Sequence, residues 1–358
     1  MTVRDRGAAQ AQRVKKLTLL VTIALITLVF LIGTLNSVGS LTKKPSPTHH
    51  TYRIGVCADQ DLLSKKPGQN VWQSAFLRGN LVLDGNNGWS VTWDHAPIIL
   101  NTTLNEKGRG AEFSELQVYN DKLYAFDDRT GAVFEVTKDF KVLPRWILVT
   151  GDGVSHDKGF KTEIATVKDG KLFVMSIGKY WTTPTGQIVE NMKDVPRWIK
   201  VIDKHGGVSH INWEHNFLAM NKATGTVHPG YMIHEAAIWH PYHRSWYFLP
   251  RRFSTESYDD ELDETRGSNK VIVADEKFQN IDVTTVGEVD GTRGFSSVKY
   301  LPLHHDVFMA LKSQEVDGHL TTYFTLFDIN TKEILIPETE ILSGYKFEGV
   351  EVLPEYLH

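Results

Sequence analysis

From residue 51 to the C-terminus, short β-rich runs alternate with polar turn signals. Tyr52–Cys57, Leu116–Phe126, Lys171–Ile177, Ser245–Leu249 and Tyr323–Phe327 are such runs, separated by Gly, Asp, Asn and Pro. Convincing helical periodicity is scarce, so the pattern predicts an all-β domain built of many short strands. One stretch breaks the pattern. Leu17 to Leu35 carries no charge and would span about 28 Å as a helix, close to the thickness of a bilayer core. Arg4, Arg6, Arg13, Lys15 and Lys16 precede it, which predicts a cytosolic N-terminus and a lumenal remainder. The organisation expected is a cytoplasmic tail (1–16), a transmembrane signal anchor (17–35), a Ser/Thr/Pro-containing lumenal stem (36–50) and a folded domain (51–358). A cleaved signal peptide is the alternative, and it would give a secreted form; its apolar region is usually shorter.

Comparing the folded part with itself selects an architecture. Five hairpin-like units recur, and each carries one Ser or Glu near the start of its first strand. These residues are Ser114, Glu163, Glu235, Ser296 and Glu348, at intervals of 49, 72, 61 and 52 residues. About one four-stranded blade fits each interval, which predicts a five-bladed β-propeller. The fifth unit begins at Tyr345 and has no strands after it. Tyr52–Cys57 and Val71–Trp93 are therefore expected to complete its blade and close the ring. A β-sandwich with chance likeness among hairpins is the alternative.

Composition narrows the chemistry. The 358 residues are 41% hydrophobic and 23% charged, which excludes wholesale disorder. A net charge of −4, from 39 basic and 43 acidic residues, argues against a nucleic-acid binder. A single cysteine, Cys57, excludes an internal disulfide framework and a Cys-rich zinc site. Phosphate-binding P-loop, nucleophile-elbow, zinc-protease and EF-hand patterns are all absent. Asn101-Thr102-Thr103 is an N-glycosylation acceptor, in keeping with a lumenal address.

Equivalent positions on five inner strands face one another across a propeller's axis. Three carboxylates and two serines would meet there. Unaccompanied, the carboxylates would repel and shift towards neutrality. A hard divalent cation resolves the conflict, and an all-oxygen ring with room for water suits calcium better than magnesium. Around this ring lie charged turns: Glu106-Lys107-Gly108-Arg109, Asp127-Asp128-Arg129, Lys161, Arg251-Arg252, and Asp59 with Asp61. Cations beside a bound divalent ion make a phosphate site, and spare carboxylates can activate water. Plain surface ion pairing explains the same residues equally well at this level.

The runs Glu106-Lys-Gly-Arg-Gly-Ala-Glu-Phe-Ser114, Asp127-Asp-Arg-Thr-Gly131, Gly159-Phe-Lys-Thr-Glu163, Ile233-His-Glu235, Phe248-Leu-Pro-Arg-Arg252, Gly294-Phe-Ser-Ser297, Ala310-Leu-Lys-Ser313 and Tyr345-Lys-Phe-Glu-Gly349 resemble the calcium-activated nucleotidase (apyrase) family. The resemblance covers nearly all of 51–358. It implies a five-bladed propeller with Ca²⁺ at Ser114, Glu163, Glu235, Ser296 and Glu348. It also implies active-site carboxylates at Asp59 and Asp128 and an active-site arginine at Arg251. Lys107, Arg109, Arg129 and Lys161 sit in matching motifs and are candidate phosphate contacts. Departures are mild: Cys57 and Gln60 flank Asp59, and Phe347 precedes Glu348, where the family carries other residues. The activity implied is calcium-dependent hydrolysis of nucleoside di- and triphosphates. In membrane-tethered members UDP and GDP are preferred, in the endoplasmic reticulum or Golgi. Some members form calcium-linked dimers, so a homodimer is among the assemblies implied. A non-enzymatic tethered propeller with structural calcium is the rival reading; the Asp and Arg residues at one channel mouth argue against it. A calcium-dependent lactone or ester hydrolase is a second rival, disfavoured by the cluster of cations.

Overall fold

The computed structural model describes residues 49–358 except Asn86 and Asn87, so the expected tail, anchor and most of the stem lie outside the described residues. Among the described residues no helix is long and apolar enough to cross a membrane. The strands, numbered in chain order, form five antiparallel sheets.

Blade 1 is β5 (Phe113–Tyr119), β6 (Lys122–Asp127), β7 (Ala132–Val136) and β8 (Val142–Ile147). Blade 2 is β9 (Ile164–Lys168), β10 (Lys171–Met175), β11 (Trp198–Ile202) and β12 (Val208–Asn212). Blade 3 is β13 (Tyr231–His240), β14 (Ser245–Ser254), β15 (Lys270–Asp275) and β16 (Ile281–Thr285). Blade 4 is β17 (Arg293–Leu301), β18 (His304–Val316), β19 (His319–Asp328) and β20 (Ile334–Glu340). Blade 5 joins both ends of the domain: β21 (Phe347–Val352) is followed in the sheet by β1 (His50–Ala58), β2 (Trp72–Asp84) and β3 (Gly88–Trp93), with β4 (Ile98–Thr102) also on β2. β21 pairs with β1, Ile54 opposite Val352 and Cys57 opposite Gly349. The ring is thus closed by the strands expected from the sequence, and the sandwich alternative is excluded.

Local chemistry explains the hairpins. Asn120 and Asp121 adopt φ of 48° and 61°, and Asp169 and Gly170 adopt 49° and 72°. Two successive left-handed residues define the type I′ loop whose twist matches paired strands. Side chains then fill the space between blades. Five apolar clusters exist, one at each blade-to-blade interface; Phe113 and Leu116 of blade 1, for instance, pack with Trp72 and Phe76 of blade 5. Each cluster draws residues from two neighbouring blades, so every blade depends on its neighbours to bury its faces.

One element departs from the sequence reading. Residues Glu214–Thr224 form helix α1, ended by Gly225 at φ 74°. Only Phe217, Met220 and Asn221 are buried, and the first two join Trp213, Trp246 and Phe278 in the interface of blades 2 and 3. So narrow an apolar stripe leaves little periodic signal.

Candidate functional site

The five ring positions sit where the inner strands are interrupted. In β5, Phe113 lies opposite Asp127 and Glu115 opposite Phe126, leaving Ser114 as an unpaired bulge residue. Glu235 in β13, Ser296 in β17 and Glu348 in β21 are skipped in the same way. Glu163 immediately precedes β9, and its N–H donates to Met175 O at 3.0 Å. A bulge re-aims its extra residue and frees backbone from the ladder. All five residues are buried. Arg251 is itself a bulge residue of β14, between Arg252 opposite Ile233 and Pro250 opposite His234.

Above the ring opens a cleft of about 350 Å³. It is lined by Asp59, Asp128, Arg251, Arg109, Arg129 and Lys161 of the expected site, together with ring residues Glu163, Glu235 and Glu348. Ser114 and Ser296 lie outside this lining, each only 1% exposed, and neither hydroxyl oxygen has a hydrogen-bond partner. Lys107 is not brought in: its side chain is 84% exposed and pairs with Glu106 at 3.1 Å. Asn101 lies exposed on β4, accepting from Gln73 Nε2 at 2.8 Å.

The walls also hold Asp61, Glu112, Lys158, Trp181, Glu315 and Lys346. Of these, the sequence reading had placed only Asp61 near the channel. Lys346 Nζ bridges Asp59 Oδ2 (3.0 Å), Asp61 Oδ2 (2.9 Å) and Glu348 Oε1 (3.6 Å). Arg109 joins Asp61 (2.7 Å) to Glu112 (2.5 Å). Oxygens of Asp59, Asp61 and Glu112 lie within 4.8 Å of one another, so these two cations offset a carboxylate cluster. Lys161 contacts Asp128 and, at 2.5 Å, Glu163. Arg251 Nη1 reaches Glu235 Oε2 (2.7 Å) and Glu348 Oε1 (3.2 Å), while its Nη2 reaches Glu315 Oε2 (3.1 Å). Asp127, beside Asp128 in sequence, has a different task. Its carboxylate accepts from the N–H groups of Ala111, Arg129 and Thr130, fixing the two loops that carry Arg109 and Arg129.

The electrostatics separate Asp59 from Asp128. Burial pushes the Asp59 carboxyl up, but Lys346 and the Asp61 N–H outweigh it, and Asp59 ends below the usual range. Burial also pushes Asp128 up; Lys161 opposes this, Asp59 adds to it, and Asp128 stays above the usual range. In the ring, burial and the neighbouring Glu235 and Asp128 push Glu163 up to about 8, against the pull of Lys161. Glu348 is raised well above its ordinary value, chiefly by burial and then by Asp59 and Glu235.

Eight carboxylates and six cations line the cleft, a formal balance of minus two. The three buried glutamates of the cleft and the two buried, unpartnered hydroxyls of Ser114 and Ser296 on neighbouring inner strands offer oxygen donors only. That set fits a hard divalent cation of calcium's flexible coordination better than zinc or copper.

A family model described as Apyrase matches residues 60–353. The chain is 43% identical over 304 residues to the soluble calcium-activated nucleotidase 1 of Rattus norvegicus, covering 84% of this chain and 74% of that one. It is 41% identical over 305 residues to an apyrase of Cimex lectularius, covering 84% and 82% of the two chains. The apyrase apy-1 of Caenorhabditis elegans is 39% identical over 305 residues, with 84% and 83% covered.

Proposed function

The chain belongs to the apyrase family, and from that premise and the geometry of the cleft we propose that it is a calcium-dependent nucleotide phosphohydrolase. It removes the terminal phosphate of nucleoside di- and triphosphates, with UDP and GDP as preferred substrates. The observation that carries the reading is the convergence of Arg251, Lys161, Arg129 and Arg109 with Asp59 and Asp128 in one cleft over an oxygen ring. A scaffold has no use for that arrangement, and a neutral ester would not call for so many cations.

Calcium, held by Glu163, Glu235, Glu348, Ser114 and Ser296, would neutralise charge on the phosphate oxygens. The chain's own residues do the rest. Arg251, with two edges of its guanidinium directed to different carboxylates, is placed to fork onto a phosphoryl group as charge spreads over it. Lys161 and Arg129 supply further cations in the same cleft. Asp59, held ionised by Lys346, orients the attacking water. Asp128, with its raised proton affinity, accepts the proton as the new O–P bond forms and the bridging P–O bond breaks. The shortened nucleotide departs, a monophosphate from a diphosphate and a diphosphate from a triphosphate; no covalent enzyme intermediate is needed.

The charge-free run 17–35 and the cations before it support a type II membrane protein with its cleft in the lumen of the endoplasmic reticulum or Golgi. There it would act on the diphosphates that glycosyl transfer releases. The test is phosphate release by the purified full-length chain from UDP, GDP, ADP, UTP and ATP, each with calcium, magnesium or chelator. Calcium-restricted release, fastest with UDP or GDP, is expected. A folded, calcium-binding sample that releases phosphate from none of them would leave the scaffold reading in its place.

A further inference from the structure

Each ring carboxylate shares one cation with a carboxylate at the mouth. Lys161 spans Glu163 and Asp128. Lys346 spans Glu348 and Asp59. Arg251 spans Glu235 and Glu315. The first two cations come from the same local device: each stands two residues before its ring glutamate, at the entrance of the inner strand. In blade 3 that position is Ile233, which cannot serve. The cation is supplied instead by the bulge of the neighbouring strand β14. A cradle is built for it. A Cβ on Gly294 would lie 2.0 Å from Arg251 O and 2.7 Å from Arg251 Cγ, so only glycine lets the arginine stem seat there.

Arg251 nevertheless differs from the two lysines. It touches two ring carboxylates, Glu235 and Glu348, through one nitrogen, Nη1. Its Nη2 nitrogen is held by Glu315, whose side chain is 41% exposed and has no other hydrogen bond among the described residues. The guanidinium therefore bridges the ring to the mouth. A metal in the ring and Nη1 would compete for the same carboxylate oxygens, and two cations at that separation repel.

Resting on the calcium-dependent reading above, we propose that Arg251 is an exchangeable counter-ion of the ring and that Glu315 is its second seat. When a divalent cation takes Glu235 and Glu348, the guanidinium releases them. It is then retained at the mouth by Glu315, where the nitrogen freed from the ring can face a phosphate. Calcium thereby both completes the ring and frees the arginine for the nucleotide. Glu315 is a positioning residue, acting through Arg251.

The test is calcium binding itself, measured by titration calorimetry on the purified full-length chain without nucleotide. Wild type, Arg251→Met, Glu315→Gln and the double variant are compared. Arg251→Met is expected to bind calcium more tightly, because the competitor is gone. Glu315→Gln is expected to bind it more weakly, because Arg251 has lost its alternative partner. Each change is roughly tenfold, within the coupling range of groups in one network. In the Arg251→Met background, Glu315→Gln should have no further effect. Equal weakening by Glu315→Gln with and without Arg251 would overturn the exchange, as would an Arg251→Met affinity at or below that of wild type. Should Arg251→Met fail to fold, Arg251→Lys replaces it in the cycle, since one ammonium cannot span both seats, and the effect of Glu315→Gln must shrink there too. Phosphate release assayed in parallel separates the two ideas: wild type that binds calcium but hydrolyses nothing refutes the enzymatic reading, whereas the calorimetric cycle alone decides the exchange.

Discussion

Glu163→Gln isolates the cost of holding the ring together. Glutamine keeps the volume and removes the charge from a buried position whose neighbours include Asp128 and Glu235. In the metal-free protein the carboxyl titrates near 8, against an ordinary value of about 4.5. A carboxyl raised in the folded state binds its proton more tightly there than in the unfolded chain. Its penalty is therefore nil below the unfolded value and grows as pH rises towards the folded one. At pH 7 the difference spans about 2.5 pH units, or up to about 3 kcal/mol at 1.36 kcal/mol per unit. Glutamine carries no such penalty. In chelator at pH 7, Glu163→Gln should be more stable than wild type by up to that amount, a rise in Tm of a few degrees at about 2 °C per kcal/mol for a domain of this size. At pH 5 the two should melt within about a degree of each other. Calcium closes most of that gap. At 100 times its dissociation constant it stabilises wild type by about 2.7 kcal/mol, and a variant binding 100-fold more weakly gains only about 0.4 kcal/mol. Differential scanning fluorimetry at both pH values, with and without calcium, reads all four corners. A variant that is destabilised equally at pH 5 and pH 7 in chelator would refute the electrostatic account and leave Glu163 as mere packing.

Asp59→Asn should lower kcat by about 10²–10⁴-fold, the usual range for a positioned acid–base group. Its calcium affinity should fall far less than that of Glu163→Gln in the same calorimeter; matching losses would mean that Asp59 belongs to the ring. Gly349→Ala should cost about 1–3 kcal/mol in urea unfolding, because its Cβ would meet Glu115 Cα and the Leu116 N–H nitrogen at 2.7 Å. It should weaken calcium binding as well, since β5 and β21, which it would wedge apart, carry Ser114 and Glu348; wild-type affinity would show the ring to be insensitive to that gap. Removing residues 345–358 deletes β21 and leaves β1 as an open inner edge. That chain should show no cooperative thermal transition by near-ultraviolet circular dichroism, and a native-like transition would disprove the need for closure.

The ring was legible because it is repeated. Five hairpins align on one oxygen-bearing position each, and repetition lifts a glutamate above the usual presumption that it is solvated. The closing strands were legible for the same reason, since a fifth unit without downstream strands requires a partner. Single residues were harder. Lys346 lay inside a recognisable motif, yet nothing in a linear string says that a lysine two positions from a ring glutamate turns to bridge Asp59 and Asp61. Glu315 stands just beyond the Ala310–Ser313 run on β18, and it matters only because Arg251 reaches it across 64 residues of chain. Asp127 and Asp128 are indistinguishable as letters. Their roles divide because one points into the backbone of two loops and the other into the cleft. Lys107 shared a motif with Arg109, but at φ 52° its backbone turns the side chain out to solvent.

The floor of the cleft gives the charge balance its meaning. One residue below Ser114, the carboxylate of Glu115 is fully buried, with Lys299 Nζ at 3.0 Å and Ser297 Oγ donating at 2.9 Å. Lys299 in turn donates to Ala165 O at 3.3 Å. Such a pair persists in low dielectric only when further hydrogen bonds support it, as they do here. β21 approaches β5 closely there, since a Cβ on Gly349 would lie 2.7 Å from Glu115 Cα. On the proposed function, metal and nucleotide meet in the cleft, and their order follows from charge. With all eight carboxylates ionised, a polyphosphate approaching the metal-free cleft meets a formal charge of minus two, which the raised proton affinity of Glu163 and Glu348 lessens. With one divalent cation in the ring the cleft is neutral, and its cations are released from guarding their own carboxylates. On the proposed calcium-dependent reading the cation would precede or accompany the nucleotide, because Arg251, Lys161 and Lys346 are otherwise engaged by their own carboxylates.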